Sequence, residues 1–158
     1  MKNQNIILSK ILILGLILVS FFCISAFTNQ QNMNNLEDIR TLVEKAKEAW
    51  VAQDANALVK LFTSDGEIIV PGQKWQGQER IREEINHFAE QYSDVKIDIK
   101  RIIIENNQAA VEWYYEDTEK ETGHRNQADD VIVIDFKDGL ISRWREYFDT
   151  ETPIRNQI

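Results

Sequence analysis

Residues 139–149 read Gly-Leu-Ile-Ser-Arg-Trp-Arg-Glu-Tyr-Phe-Asp and follow a Lys-Asp turn pair. The stretch is rich in aromatic and β-branched residues, which favours a β-strand with side chains alternating between two faces. One predicted face carries Leu140, Ser142, Trp144, Glu146 and Phe148. The opposite face carries Ile141, Arg143, Arg145, Tyr147 and Asp149. A carboxylate among aromatic rings is costly to bury unless it is paired or protonated, so Glu146 is the first candidate for a functional group.

The length and charge of the chain narrow the class of protein. Its 158 residues suffice for one domain with a proper core. The net charge is −8, and the neighbouring arginines Arg143 and Arg145 are flanked by Glu146 and Asp149. Because phosphate contacts need clustered Lys and Arg, we expect no nucleic-acid partner.

The N-terminal segment has the pattern of an export signal. Lys2 and Lys10 precede an uncharged apolar run over residues 11–27, and Ile24-Ser25-Ala26 offers a signal-peptidase site. We therefore predict a signal peptide over 1–26 and an exported, periplasmic or extracellular protein with no membrane contact after cleavage. The alternative is a membrane anchor formed by residues 11–27, since about 20 apolar residues span a bilayer. Residues 27–35 are predicted to be a linker and 151–158 a tail.

Helical patterns occupy the first part of the predicted domain, which covers residues 36–150. Apolar residues recur at three- and four-residue spacing from Leu36 to Trp50, and Asp54 is placed to cap a short second helix that runs through Phe62. Residues 63–66 read as a turn, and Glu67 to Val70 as a short strand. A third helix is predicted from about Gln78 to Gln91.

The second part of the domain reads as β-structure. Strands are predicted over 95–105, 108–117 and 126–136, followed by the strand from Gly139. Helices followed by a run of antiparallel strands indicate an α+β fold, with about three helices packed over one face of the sheet.

The order of these elements resembles the SnoaL-like branch of the nuclear transport factor 2-like superfamily. The resemblance extends from about Leu36 to Thr150 and is carried by Phe62-x-x-Asp65, by Trp75-x-Gly77 and, above all, by residues 139–149. It implies a cone-shaped curved sheet that encloses a pocket at its open end. The fold hosts many activities, so it does not by itself identify one.

The closing strand is similar to that of limonene epoxide hydrolases, which carry a Trp, a catalytic carboxylate and a Phe at alternate positions. This resemblance matches Trp144, Glu146 and Phe148 and implies that they face the pocket. The other catalytic positions of those hydrolases are occupied here by Trp113, Tyr115, Ile68 and Val70. We therefore expect no epoxide hydrolysis by that mechanism.

Alternation along the neighbouring strands predicts the rest of the pocket. The expected ligand-contacting side chains are Trp113, Tyr115, Asp117, Trp144, Phe148, Ile132, Ile68 and Val70. Asp130 is predicted to join Glu146 inside. A mostly apolar concavity with a few polar groups is typical of a site for a small hydrophobic or amphipathic molecule.

Two hypotheses are open for the paired carboxyls. In the first, Glu146 and Asp130 share a proton and perform acid/base chemistry of isomerase, cyclase, dehydratase or hydrolase type, with Tyr115 orienting a substrate oxygen. In the second, Glu146 is structural, paired with an arginine (Arg125, Arg143 or Arg145) or bonded to an indole or hydroxyl. The sequence has no metal-ligand spacing, so we expect no cofactor and no metal; His87 and His124 are weak candidates for catalysis.

The protein then either acts on a bound molecule or is a non-catalytic ligand-binding or dimerisation module. The outer face of the closing strands is predicted to expose Val131, Val133, Ile141 and Tyr147. A patch of this kind indicates a partner, and members of the superfamily commonly dimerise through this surface. We therefore predict a homodimer.

Overall fold

The computed structural model describes residues 36–148. The predicted signal peptide, linker and C-terminal tail lie outside the described residues and stay predictions. Within residues 36–148, no helix is both long and apolar enough to cross a membrane.

In the described part of the chain, three helices precede most of the sheet. Helix α1 covers described residues 36–51, α2 covers Ala55–Val59, and α3 covers Gln78–Gln91. The predicted cap of α2 is confirmed, because Asp54 Oδ1 accepts a hydrogen bond from the Ala57 amide at 2.9 Å. The buried residues of α1 recur every three or four positions, so a single face of this helix enters the core: Ile39, Val43, Ala46, Ala49 and Trp50.

Among residues 36–148, six strands form one sheet in the order β2-β1-β6-β5-β4-β3. Their bounds are β1 Phe62–Val70, β2 Gln73–Gln76, β3 Tyr92–Glu105, β4 Gln108–Glu119, β5 Arg125–Lys137 and β6 Leu140–Tyr147. The α+β prediction is confirmed, with one difference: β6 lies between β5 and β1 and pairs with β1 in parallel. The sheet is mixed because β6 follows α3, β3, β4 and β5 along the chain and then runs beside β1 in the same direction as β1.

The second helix ends earlier than predicted. It stops at Val59, and Phe62 begins β1 as a fully buried residue. The predicted turn over residues 63–66 was also wrong, because these residues belong to β1 and accommodate a register shift between Phe62 and Glu67. Gly66 permits this path: a Cβ there would come within 3.1 Å of the Phe62 side chain and 3.2 Å of the Ile141 carbonyl oxygen.

One side-chain orientation on β6 differs from the prediction. The pairing of β5 with β6 shifts between Asp135 and Phe136, which leaves Ser142 as an extra residue opposite them. Ile141 therefore turns into the core, where its exposed fraction is 0%. Ser142 Oγ donates a hydrogen bond to the Asp135 carbonyl oxygen at 3.0 Å and so holds the bulge.

The opposite surface of the sheet keeps three of its four predicted apolar residues. Val131 is 41% exposed, Val133 37% and Tyr147 51%. Only Ile141 leaves this surface, because of the bulge at Ser142. The predicted homodimer through this face stays a prediction.

Candidate functional site

A cavity of about 740 Å³ lies where β1 and β6 end side by side. It is lined by Ile69, Val70, Pro71, Gly72, Gln73, Lys74, Asp129, Arg145, Glu146, Tyr147 and Phe148. Parallel pairing of Ile69 with Arg145 places Val70 beside Glu146. The cavity is large enough for a small organic molecule, and its lining joins apolar side chains to a few charged groups.

Glu146 is the inward-facing carboxyl of this lining. It is partly buried, and its Oε1 accepts a hydrogen bond from Trp144 Nε1 at 2.7 Å. Burial raises the pKa of Glu146, and the neighbouring Asp130 raises it further, whereas the Trp144 indole lowers it. The net result is a pKa of about 8, so the group is mainly a neutral acid at neutral pH.

Asp130 stands behind Glu146 on the same face of the sheet. The register pairs Ile132 with Glu146, so Asp130, two residues from Ile132 along β5, is a diagonal neighbour of Glu146. Asp130 is 5% exposed and does not line the cavity. Its position makes it a group that acts on Glu146 rather than on a molecule in the cavity.

Only one oxygen of Asp130 has a partner among the described residues. Oδ2 accepts a hydrogen bond from Trp113 Nε1 at 3.0 Å, and Oδ1 is buried without a hydrogen bond. Burial raises the pKa of Asp130, and the Trp113 indole lowers it. The amides of Val131 and Tyr147 lower this pKa as well, although neither meets hydrogen-bond geometry with Oδ1.

Two neighbouring tryptophans donate hydrogen bonds to the two carboxyls. The rings of Trp113 and Trp144 lie 5.5 Å apart between centroids, at an angle of 53°. Each indole donates its N–H to a different carboxyl, Trp113 to Asp130 and Trp144 to Glu146. Because both indoles are almost fully buried, at 3% and 0% exposure, they fix the acids in a water-poor environment.

A second polar group of residues lies further along β4. Tyr115 Oη donates to Asp117 Oδ2 at 2.6 Å, and Asn126 Nδ2 donates to Asp117 Oδ1 at 2.7 Å. Burial, the bond to Asp117 and the charges of Asp117 and Glu146 all raise the pKa of Tyr115, so the phenol keeps its proton. Its hydroxyl is engaged with Asp117, and neither residue lines the cavity.

The predicted site residues fall into three groups, one of which is the polar set Tyr115, Asp117 and Asp130 that does not line the cavity. Val70, Phe148 and Glu146 line the cavity. The remaining apolar ones lie in the core shared with α1 and α3, with exposures of 3% or less: Ile68, Ile132, Trp113 and Trp144. The sequence reasoning missed the cavity residues from the β1–β2 turn and the outward-facing Asp129, Arg145 and Tyr147. The Pro71-Gly72 pair, which marks a turn at the end of β1, could have indicated the cavity residues of the β1–β2 turn.

The structure also places the other candidate groups. Arg125 pairs with Glu116, and Arg143 lies 3.3 Å from Glu67 without hydrogen-bond geometry, so neither pairs with Glu146. The indole bond to Glu146, which the structural hypothesis allowed, is present. His87 is exposed and lies near Glu90 on the surface of α3. Within the part of the chain that the structure covers, no cluster of His, Cys, Asp and Glu could hold a metal ion.

Comparisons with known proteins agree with this architecture. The SnoaL-like domain family matches residues 43–144. No protein in a search of the curated proteins matches the sequence.

Solved structures share the fold at low sequence identity. A hypothetical protein of Catenulispora acidiphila with a ketosteroid isomerase-like fold, in complex with trimethylamine, is 19% identical, with a TM-score of 0.65 over 69% of this chain and 85% of that one. An NTF2-like protein of unknown function from Burkholderia pseudomallei is 16% identical, with a TM-score of 0.66 over 72% and 92%. An LEH-like epoxide hydrolase of M. tuberculosis is 23% identical, with a TM-score of 0.63 over 72% and 84%.

Proposed function

Because the chain belongs to the SnoaL-like domain family, we propose that it binds a small, largely apolar molecule beside Glu146 and that Glu146 performs acid/base chemistry on it. The observation that supports this proposal is the position of Glu146. Glu146 is one of the residues that line the 740 Å³ cavity, and burial together with Asp130 raises its pKa to about 8. A neutral carboxylic acid at neutral pH is the form that can donate a proton to a bound oxygen.

The chemistry follows from this protonation state. Glu146 gives its proton to a carbonyl, hydroxyl or ether oxygen of the bound molecule, and the resulting carboxylate takes a proton from a carbon or hydroxyl of the same molecule. The two transfers return Glu146 to its starting state. Isomerisation, ring closure and loss of water all balance in this way, with no other reactant.

Asp130 is assigned a positioning role in this proposal. It is buried behind Glu146, and its negative charge favours the protonated form of Glu146. Burial raises the pKa of Asp130, and the hydrogen bond from the Trp113 indole opposes this effect by favouring the charged form. With the pKa of Glu146 at about 8, the pair presents one neutral acid to the cavity.

Similar proteins support an enzymatic use of the cavity without specifying the reaction. An LEH-like epoxide hydrolase has this fold. The replacement of that family's remaining catalytic positions by Trp113 and Tyr115, both hydrogen-bonded to carboxyls here, argues for a reaction other than epoxide opening by the same residues.

A second candidate is a binding module without catalysis. The bond from Trp144 to Glu146 also serves the fold, since it satisfies a buried indole N–H. In this case the bound molecule leaves unchanged.

One experiment separates the two candidates. The protein is purified from its native source, and the small molecules that it retains are identified by mass spectrometry. The identified molecule is then incubated with wild type, Glu146→Gln and, as a matched surface control, Glu121→Gln, and is followed by NMR. We expect conversion by wild type and the control and none by Glu146→Gln. An unchanged molecule with all three proteins would support the binding module.

Export is a separate part of the proposal. It is supported by the charged start, apolar run and Ala26 site of the N-terminus. Amino-terminal sequencing of the protein isolated from its source is expected to begin at Phe27. A chain that retains Met1 and sediments with membranes would support the anchor instead.

A further inference from the structure

Arg145 is a charged residue of the cavity that the acid/base proposal does not use. It lies next to Glu146 on β6 but on the opposite face of the strand, and both residues line the cavity because it surrounds the strand end. The guanidinium carbon lies 5.3 Å from the centre of the Tyr147 ring. This stacking fixes the planar group while leaving its N–H donors available.

Among the described residues, no acidic side chain forms an ion pair with Arg145, although Asp129 and Glu146 line the same cavity. Its Cα partners are Ile69 on β1 and Val133 on β5, both apolar. Within residues 36–148, no acidic oxygen lies within the 4.0 Å that defines an ion pair for Arg145. Five other arginines of the same region do form ion pairs: Arg80, Arg82, Arg101, Arg125 and Arg143. Among residues 36–148, Arg40 on α1 also has no ion pair, but it is exposed, whereas Arg145 is partly buried.

The neighbouring charges of the cavity leave Arg145 available. Lys74 Nζ lies 2.5 Å from Glu67, so its charge is already compensated. Glu146 points to the other face and is bonded to Trp144. Asp129 also lines the cavity, and its negative charge would favour a cationic ligand over the anionic ligand that Arg145 favours.

Ile69, Val70, Pro71 and Phe148 form an apolar part of the lining, which also includes the polar side chain of Gln73. An apolar wall beside an uncompensated planar cation matches an amphipathic carboxylate, because a guanidinium binds a carboxylate through two parallel hydrogen bonds. Resting on the proposed function, we propose that the bound molecule carries a carboxylate on an apolar body and that Arg145 binds this carboxylate. The body then extends along the apolar wall towards Glu146.

The test compares three probes of equal chain length by calorimetry at neutral pH: octanoate, octanol and octylamine. The affinity for octanol reports the contribution of the apolar chain, and the difference in affinity between octanoate and octanol reports the contribution of the carboxylate. We expect octanoate to bind about ten-fold more tightly than octanol, as a charge-assisted hydrogen bond implies. Arg145→Gln should remove this difference, and Arg101→Gln, a surface arginine of the same sheet, should keep it. Light scattering checks that the variants have the mass of the wild type.

Each other outcome has a distinct meaning. If octanol binds and octanoate binds no more tightly, the carboxylate inference falls while the small-molecule cavity stands. If octylamine binds most tightly, Asp129 and Glu146 determine the ligand, and the inference is wrong. If Arg145→Gln keeps the preference for octanoate, another group binds the carboxylate. If none of the probes binds, the inference and the proposed binding function fall together.

Discussion

The indole of Trp144 donates a hydrogen bond to Glu146, two residues further along the same strand, at 2.7 Å. Both side chains face inward on β6, so an entirely buried ring holds a carboxyl at the cavity wall. The arrangement explains how a carboxyl can lie among aromatic rings: one oxygen is satisfied by the indole, and a retained proton removes the charge.

The protonation of Glu146 makes the stability of the protein depend on pH. The ordinary pKa of the group is 4.5, and the folded state raises it to about 8. The folded state therefore binds the proton more tightly than the unfolded state does. The resulting contribution to the free energy of unfolding is fully present below pH 4.5 and is lost as the pH rises towards 8. The free energy of unfolding should fall across this window by up to about 1.4 kcal/mol per pH unit.

Urea unfolding at several pH values measures this slope. Glu146→Gln should flatten it, because the amide cannot titrate, and Glu121→Gln on the exposed loop after β4 should not. A residual slope at the acidic end is expected from Asp130, whose pKa is also raised. Identical slopes in wild type and Glu146→Gln would contradict the assignment.

Asp130→Asn should lower the pKa of Glu146. The substitution keeps the size of the side chain and removes the negative charge that favours the protonated form. The change can be followed by NMR of the Glu146 carboxyl carbon. Asp129→Asn, one residue away on the opposite face, is the matched control and should leave this pKa in place. A higher pKa in Asp130→Asn would show that the two carboxyls do not repel each other.

The bulge at Ser142 can be tested through the two residues that precede it. Ile141→Ala should destabilise the protein by about 2–5 kcal/mol, because it opens a cavity in the core. Leu140→Ala, which truncates a partly buried residue, should cost about 1 kcal/mol. Chemical unfolding measures both. A larger loss for Leu140→Ala than for Ile141→Ala would contradict the bulge and would support the regular alternation predicted from the sequence.

The exposed outer face should mediate self-association. Val131→Glu and Val133→Glu each place a charge in the predicted contact, so both should convert a dimer into a monomer. Val51→Glu, at an apolar position of α1 that is 41% exposed like Val131, should leave the dimer intact. Light scattering gives the mass of each protein. A monomeric wild type, or a dimer that tolerates both valine changes, would contradict the predicted interface.

Local patterns predicted much of the fold. The spacing of apolar residues located α1 and α3, Asp54 marked the start of α2, and alternation correctly turned Trp144 and Glu146 inward. These features depend on neighbouring residues. The bulge that buries Ile141 depends instead on the register between β5 and β6, which alternation along a single strand does not contain.

The extent of the cavity was harder to predict for a similar reason. Alternation places Trp113 and Ile132 on the inner face, but whether that face is empty or filled depends on the helices packed over it. Here the core includes Trp50 of α1 and Ile85 of α3, and the inner face is filled. The cavity lies at the strand ends, where the parallel pairing of β1 with β6 brings Arg145 near the Pro71 turn. That pairing joins residues far apart in the sequence.

The most direct test of the central claim is the titration of Glu146 in the wild-type protein. NMR of glutamate carboxyl carbons, with Glu146→Gln used to assign the signal, gives the midpoint. We expect a midpoint near pH 8, with the proton retained on Glu146 at neutral pH. A midpoint at or below the ordinary value of 4.5 would contradict it and would make Glu146 a charged, structural partner of Trp144.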